Sequence, residues 1–330
     1  MKVKTKEDFN KYSNILCPDC RNTSEQFLYL FTRSMYHLLA IITVLVWGTT
    51  FVSTKILLDE GLTPSDIFIL RFIIAYIGIA LFSHKQWVCN SWRDELMMFV
   101  AGLTGGSLYF IGENTSLIYT QAGSVSLLIC MAPLLTALFA RFLPSEEKSS
   151  ITLWIGSILA MTGVAFVVND DSGSTVNPLL GNMLALFSAA CWAVYQIIVK
   201  PISNRYDVGT LTRKVFGYGL LTMIPYWVYT SPGEITERLT LLREPIVYSN
   251  ILFLGLMASL MGYWLWNIVV QRLGAVVSSN YIYLNPLVTC IFSYLILGER
   301  ITVPMIIGGI GILIGIYIAI GLPKPQRQPN

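Results

Sequence analysis

MAPLLTALFARFLPSEE at 131–147 and LNPLVTCIFSYLILGER at 284–300 read as one stretch written twice. Pro133-Leu134 falls on Pro286-Leu287, Thr136 on Thr289, Phe139 on Phe292 and Glu146 on Glu299, an offset of 153 residues. The same offset holds further out. Gly102-Leu103 falls on Gly255-Leu256, Asn114 on Asn267, Ala122 on Ala275, Ser126 on Ser279 and Gly156 on Gly309. Near the N-terminus the offset is 145, with Trp47 on Trp192 and Lys55 on Lys200. A longer segment at 231–248 in the second half absorbs the difference. Apolar letters match cheaply by chance. Paired Pro, Asn, Glu and Trp at nearly one offset do not, so the chain is an internal repeat.

The composition says where that repeat lives. Hydrophobic residues make up 54% of the 330 and charged residues 12%, against about 25% charged in a soluble domain. Mean hydropathy is +0.62. This excludes an ordinary soluble enzyme, a disordered chain, collagen and a disulfide scaffold, since six Cys form no dense framework. A net charge of +3 is too weak to suggest nucleic acid. A helix needs about 20 mainly apolar residues to cross the hydrocarbon core. Windows of that size predict ten spans, near 36–58, 65–83, 95–118, 122–142, 151–168, 180–200, 212–230, 249–271, 276–297 and 303–321. They are continuously apolar rather than alternating, which predicts helices and not barrel strands. The expected fold is therefore an all-α membrane protein, ten transmembrane helices as two inverted five-helix repeats. Five is odd, so the second copy enters from the opposite side, and such repeats are characteristic of secondary transporters with a midplane site.

Lys and Arg set the orientation. With the N-terminus inside, the inner segments carry 17 of them and the outer segments only Arg238, Arg243 and Arg300. Lys55 and Arg71 lie within spans. Both termini are expected in the cytoplasm, with the chain multi-pass in the cell inner (plasma) membrane. Residues 1–35 carry Glu7-Asp8 and no apolar h-region, so they read as a cytoplasmic tail and not as a cleaved signal. The expected organisation is that tail, a first repeat over 36–168, a second over 180–321, and a short tail from 322 to 330.

Particular residues then carry a resemblance. They are Trp47-Gly48-Thr49-Thr50-Phe51, the segment from Pro64 to Arg71, Ala132-Pro133-Leu134, Asn285-Pro286-Leu287-Val288 and Gly298-Glu299-Arg300-Ile301. With the five-plus-five layout, residues 36–321 resemble the EamA-type members of the drug/metabolite transporter superfamily. The first half departs from the pattern with Pro144-Ser145-Glu146-Glu147, and the N-terminal tail lies outside it. The resemblance implies an exporter of amino acids and related metabolites, with cytoplasmic termini. Related branches carry nucleotide-sugars and sugar phosphates, so it does not fix the substrate.

Charge inside a span is costly and usually functional. Lys55, Arg71 and Glu113 lie at a similar depth in the outer parts of spans 1 to 3 and are close enough to meet. Glu113 is the one carboxylate clearly inside a span; it serves proton coupling or amine binding, or forms a static ion pair with Arg71 or Lys55, the reading slightly favoured. Lys200 snorkels from the inner end of span 6. Trp47 and Trp192 each lie about 16 Å deep by helix rise, although Trp normally belongs at the interface. With Thr50 beside one and Tyr195 and Gln196 beside the other, they predict the aromatic wall of a wet cavity. Asn114 and Asn267 either bind substrate or tie helices together, and Tyr109 and Tyr263 lie about a turn away on the same spans. Pro133 and Pro286 kink spans 4 and 9. Gly102–Gly106 and Gly308–Gly315 permit close helix packing. Cys17 and Cys20 form a lone CxxC, with Cys89 and His84 as the remaining inner candidates for zinc; nothing in the spacing gathers four ligands, and no metal is expected.

The sequence therefore predicts an alternating-access exporter of amino acids or related small metabolites, not an enzyme, with no cofactor. Trp47, Thr50, Tyr109, Asn114, Trp192, Tyr195, Tyr263 and Asn267 are the expected substrate contacts, and Arg71 and Glu113 the vestibule or coupling pair. The expected partners are a small-molecule substrate and membrane lipids, with a proton and a homodimer left open. A nucleotide-sugar or lipid-linked carrier, or a membrane-embedded enzyme or sensor, is the alternative; loops under about twenty residues leave little room for the last two.

Overall fold

Hydrocarbon offers the backbone no hydrogen-bond partner, so an apolar run must satisfy its own N–H and C=O groups, and a helix does so. Every regular element among the described residues is helical. The computed structural model describes residues 23–83, 86–140, 151–168, 177–230, 240–273, 278 and 280–320.

In chain order, α1 is Thr23–Asp59, α2 Pro64–Phe82 and α3 Trp92–Tyr119. α4 runs in two pieces, Ala122–Ile129 and Ala132–Ala140; α5 is Ile151–Val168, α6 Pro178–Ile202 and α7 Val208–Thr230. α8 is Pro245–Leu273. α9 begins as a 3-10 turn at Asn280–Leu284, continues as Asn285–Phe292 and ends as Ser293–Leu297; α10 is Val303–Ile320. α1 starts well before residue 36, where the first span was expected. No Gly or Pro interrupts 23–35, so the helix of the span propagates backwards at little cost.

The starts are encoded locally. Thr63 and Asp66 form a capping box ahead of Pro64, Ser91 caps α3, and Asn177 caps α6 ahead of Pro178. Each cap satisfies an orphan N–H, and Pro is tolerated in the first turn because its missing N–H is an orphan anyway. Pro286 likewise opens the α-helical part of α9. Of the ten expected spans, five are helices long and apolar enough to cross a membrane alone: Met35–Asp59, Pro64–Phe82, Trp92–Tyr119, Pro178–Ile202 and Pro245–Leu273. Four more apolar stretches are shorter: Ala122–Thr136, Ile158–Val167, Tyr281–Leu297 and Val303–Gly315. Segments 141–150 and 274–277, which flank three of these, lie outside the described residues. α7 is 23 residues long but carries Arg213 and Lys214 near its start.

Packing joins the two halves of the chain. α1 packs on α8 and α9, α2 on α7 and α8, α3 on α6 and α7, α4 on α6 and α9, and α5 on α10. At the last seam a Cβ on Gly308 would sit 2.6 Å from the Gly163 carbonyl oxygen, so only glycine lets the two backbones approach this closely. The interior is aromatic: Phe68, Phe110, Phe216 and Tyr263 surround Phe72. The exterior is apolar as well, with Ile158, Met161, Ile307 and Ile310 exposed on α5 and α10. A surface of this kind suits lipid rather than water. The chain is a multi-pass, all-helical membrane protein.

Candidate functional site

Two helices depart from α geometry in their middles. α3 widens to a π-helix over Leu103–Leu108 and α8 over Phe253–Met261. A π stretch shifts backbone partners and leaves carbonyls free to accept elsewhere. Those carbonyls position the aromatic side chains of a central cavity. Trp47 Nε1 on α1 donates to the Ala258 carbonyl at 2.9 Å. Tyr263 Oη on α8 donates to the Gly105 carbonyl at 2.9 Å. Residues 105 and 258 are related by the same 153-residue offset as the repeat. Gly105 is required on steric grounds, because a Cβ there would run into the Tyr195 ring.

The rings so held form a box. Trp47 meets Trp192 edge-on at 5.8 Å and Tyr263 at 5.8 Å, and Trp192 lies 5.9 Å from Tyr263 and 5.2 Å from Tyr109. They border a partly open cavity, with Thr50 and Phe51 on α1, Ile129 and Ala132 at the break in α4, and Ile282 and Asn285 on α9. Thr50 Oγ1 is turned back to the Trp47 carbonyl at 2.7 Å. Thr289 Oγ1 donates to the Gly48 carbonyl at 2.7 Å, and a Cβ on Gly48 would lie 2.6 Å from Val288 Cβ. The Trp-Gly-Thr segment is thus fitted against α9.

Two charges face the same space. Arg71 and Glu113 both line the cavity and are each only 2% exposed. Arg71 Nε donates to Ser259 Oγ at 2.9 Å, and its guanidinium lies 4.5 Å from the centre of the Phe110 ring. Its Nη1 has no hydrogen-bond partner. The Tyr109 hydroxyl lies beside the Glu113 carboxyl. Arg71, Glu113, Tyr109 and Tyr263 act on one another electrostatically. The static ion pair expected for Glu113 is not formed: among the described residues, the ion pairs within 4 Å are Lys55–Glu299, Arg205–Asp94 and Lys214–Glu95.

Trp47, Thr50, Tyr109, Trp192 and Tyr263 therefore border one cavity, and Arg71 and Glu113 join them there rather than forming a separate vestibule. The other three expected contacts lie behind its wall. Tyr195 is fully buried against Trp192 at 4.9 Å. Asn114 Nδ2 donates to the Pro64 carbonyl at 3.0 Å, tying α3 to the start of α2. Asn267 Nδ2 donates to Thr212 Oγ1 at 2.9 Å, tying α8 to α7. Lys55 does not reach Glu113. Its Nζ caps the end of α3 through the Leu117 and Thr120 carbonyls, each at 3.0 Å, and lies 3.7 Å from Glu299. Sequence reasoning missed Asn285, whose Oδ1 is buried without a partner, and Ser259. Both are small polar groups in apolar runs, and the 153-residue offset gave them no polar mate, since they fall on Ala132 and Gly106.

At the opposite end from Lys55, a polar cluster joins the α2–α3 connection to α6 and α7. Tyr206 Oη donates to Asp94 at 2.8 Å, and Arg205 pairs with the same carboxylate. Glu95 accepts from Lys214 Nζ at 2.5 Å, from the Tyr218 hydroxyl and from the Cys89 backbone N at 2.7 Å. Arg213 donates to the Ser83 and Gln86 carbonyls. Burial, together with the Glu95 carboxylate beside it, pushes the Cys89 thiol up to about 11. It is therefore a thiol at neutral pH and no ready thiolate ligand. Cys17, Cys20 and His84, the other expected zinc candidates, lie outside the described residues.

The EamA-like transporter family matches this sequence twice, over residues 34–169 and 179–321. The chain belongs to the EamA-like transporter family. An Archaeoglobus fulgidus protein named as an uncharacterized transporter is 26% identical over 291 residues, covering 87% of this chain and 97% of its own. The Bacillus subtilis uncharacterized transporter YcxC is 26% identical over 304 residues, covering 89% and 96%. A probable terminal-alkyne amino-acid exporter from Streptantibioticus cattleyicolor is 26% identical over 276 residues, covering 82% and 88%. One crystal structure of a protein shares the fold, with a TM-score of 0.59 at 17% identity over 87% of this EamA-like chain and 96% of its own.

Proposed function

We propose that this EamA-like transporter is a secondary exporter of amino acids or closely related small metabolites, working by alternating access at the aromatic cavity. The observation that carries the reading is that Arg71 and Glu113, opposite in sign and buried, both line that cavity without pairing with each other. Two buried charges that make no direct ion pair are expensive inside a membrane protein, and a small polar solute bridges them. Arg71 is the one Lys or Arg among the lining residues, and Glu113 balances it. Such a site is poorly suited to the several negative charges of a nucleotide-sugar. The amino-acid exporter among the relatives points the same way.

Ten spans as two inverted five-helix repeats give that cavity its two sides. The double family match supports this. So does the packing, in which α1–α8 and α1–α9 have their counterparts in α6–α3 and α6–α4. The 17-to-3 distribution of Lys and Arg favours cytoplasmic termini. A cysteine placed at Thr50, in a variant whose native cysteines are replaced, tests alternating access in sealed, oriented vesicles. It reacts with an impermeant thiol reagent from either side in turn, and an amino-acid mixture protects it. Reaction from one side only refutes alternation.

Glu113 is the proposed coupling carboxylate, faced by Tyr109 on its own helix, Arg71 on α2 and Tyr263 on α8. Glu113→Gln removes the pH dependence of flux if it couples protons, and leaves it unchanged if Glu113 is structural.

A further inference from the structure

We infer that the cavity is a clamp for a zwitterion, with Arg71 Nη1 taking the carboxylate of an α-amino acid and Glu113 its ammonium. This rests on the transporter reading but names groups and a charge pattern that the reading leaves open. Arg71 is presented for one specific job. Its Nε is occupied by Ser259 and its face is covered by Phe110, which fixes the guanidinium plane. The outer nitrogen Nη1 is left buried and unpartnered. A buried donor without a partner is costly, and a planar guanidinium held in this way suits a carboxylate. Glu113 lines the same cavity with Tyr109 beside it. The Trp47 ring borders that cavity, and an ammonium is attracted to an indole face as well as to a carboxylate. Asn285 Oδ1, also buried and unpartnered on the lining, offers a further acceptor for the ammonium N–H groups. The remaining walls are aromatic and aliphatic, so the side chain accepted is apolar.

The test is ligand-induced thermal stabilisation of the full chain in detergent. The probes are the twenty protein amino acids singly, then L-phenylalanine against 2-phenylethylamine and 3-phenylpropionate, which each keep the ring and lose one charge. At least one apolar amino acid stabilises the protein, and each single-charge analogue binds at least tenfold more weakly than phenylalanine. Arg71→Gln abolishes the preference for phenylalanine over phenylethylamine. Glu113→Gln abolishes the preference over phenylpropionate. Arg71→Lys, which keeps the charge and the volume, retains part of the first preference and covers a fold defect in Arg71→Gln. The clamp is overturned if no amino acid binds, if the analogues bind as well as phenylalanine, or if both preferences survive both substitutions. Failure of the transporter reading looks different: amino acids bind with these preferences but are not exchanged across vesicles.

Discussion

Glu299 is the residue whose removal tests the architecture most sharply. It follows Gly298, which ends α9 at φ +67°, and its backbone N bonds to the Ser293 carbonyl at 3.2 Å. The left-handed glycine ends the helix, and it turns the Glu299 carboxylate onto the start of α4. There it accepts from Ala122 N at 3.0 Å and Gly123 N at 3.4 Å, and it lies 3.7 Å from Lys55 Nζ. A hydrogen bond to a charged group is worth about 1.5–3 kcal/mol, the longer of the two contributing little. The helix N-terminus adds about 0.3–1 kcal/mol. The partly exposed Lys55 pair adds about 0.2–1 kcal/mol. Glu299→Ala therefore costs about 2–5 kcal/mol. Glu299→Gln keeps an oxygen on Ala122 N but loses the charge, and costs about 1–2 kcal/mol. At about 2–4 °C per kcal/mol for a chain above 150 residues, the alanine variant melts lower by roughly 4–20 °C and the glutamine variant by roughly 2–8 °C. Thermal unfolding of purified protein in detergent, followed by tryptophan fluorescence, reads both. An alanine variant within 1 °C of the parent, or a glutamine variant as damaged as alanine, refutes Glu299 as the cap of α4.

Three further outcomes follow from single contacts. Gly298→Ala meets open space but must hold φ +67°, so it lowers stability by about 1 kcal/mol, read in the same melt. Gly308→Ala drives a Cβ against the Gly163 carbonyl and costs about 1–3 kcal/mol as overpacking; an unchanged melt contradicts the α5–α10 contact. Cys89 loses its proton only near pH 11. In a variant whose other cysteines are replaced, its alkylation rate therefore rises about tenfold per unit from pH 7 to 10 without levelling, whereas an ordinary cysteine, of pKa about 8.5, levels off near pH 9.

How far the sequence could be read depended on what each residue answers to. The repeat, the helices and the aromatic wall of Trp47, Trp192 and Tyr263 follow from apolar runs and from residues out of place at mid-depth. Arg71 and Glu113 were legible as intramembrane charges, but their meeting in the cavity depends on how α2 and α3 rotate about their axes. The partners of Lys55, Asn114 and Asn267 were illegible for the same reason. Each bonds to a carbonyl or side chain on another helix, and spacing along one helix says nothing of what a neighbour presents. The π stretches in α3 and α8 were hidden as well, since Leu, Gly and Ser fit either winding. Arg213 and Lys214 were counted as loop charges, yet both are buried, held by carbonyls of the α2–α3 connection and by the Glu95 carboxylate in the first turn of α3.

The central claim is carriage of an amino acid through the cavity, and counterflow in proteoliposomes measures it directly. Vesicles are loaded with an unlabelled amino-acid mixture, and each labelled species is then supplied outside at trace concentration. A carrier produces saturable, transient accumulation of one or a few apolar amino acids above their equilibrium level, reduced by Arg71→Gln. Absence of accumulation for every amino acid, with folded protein in the vesicles, contradicts the account.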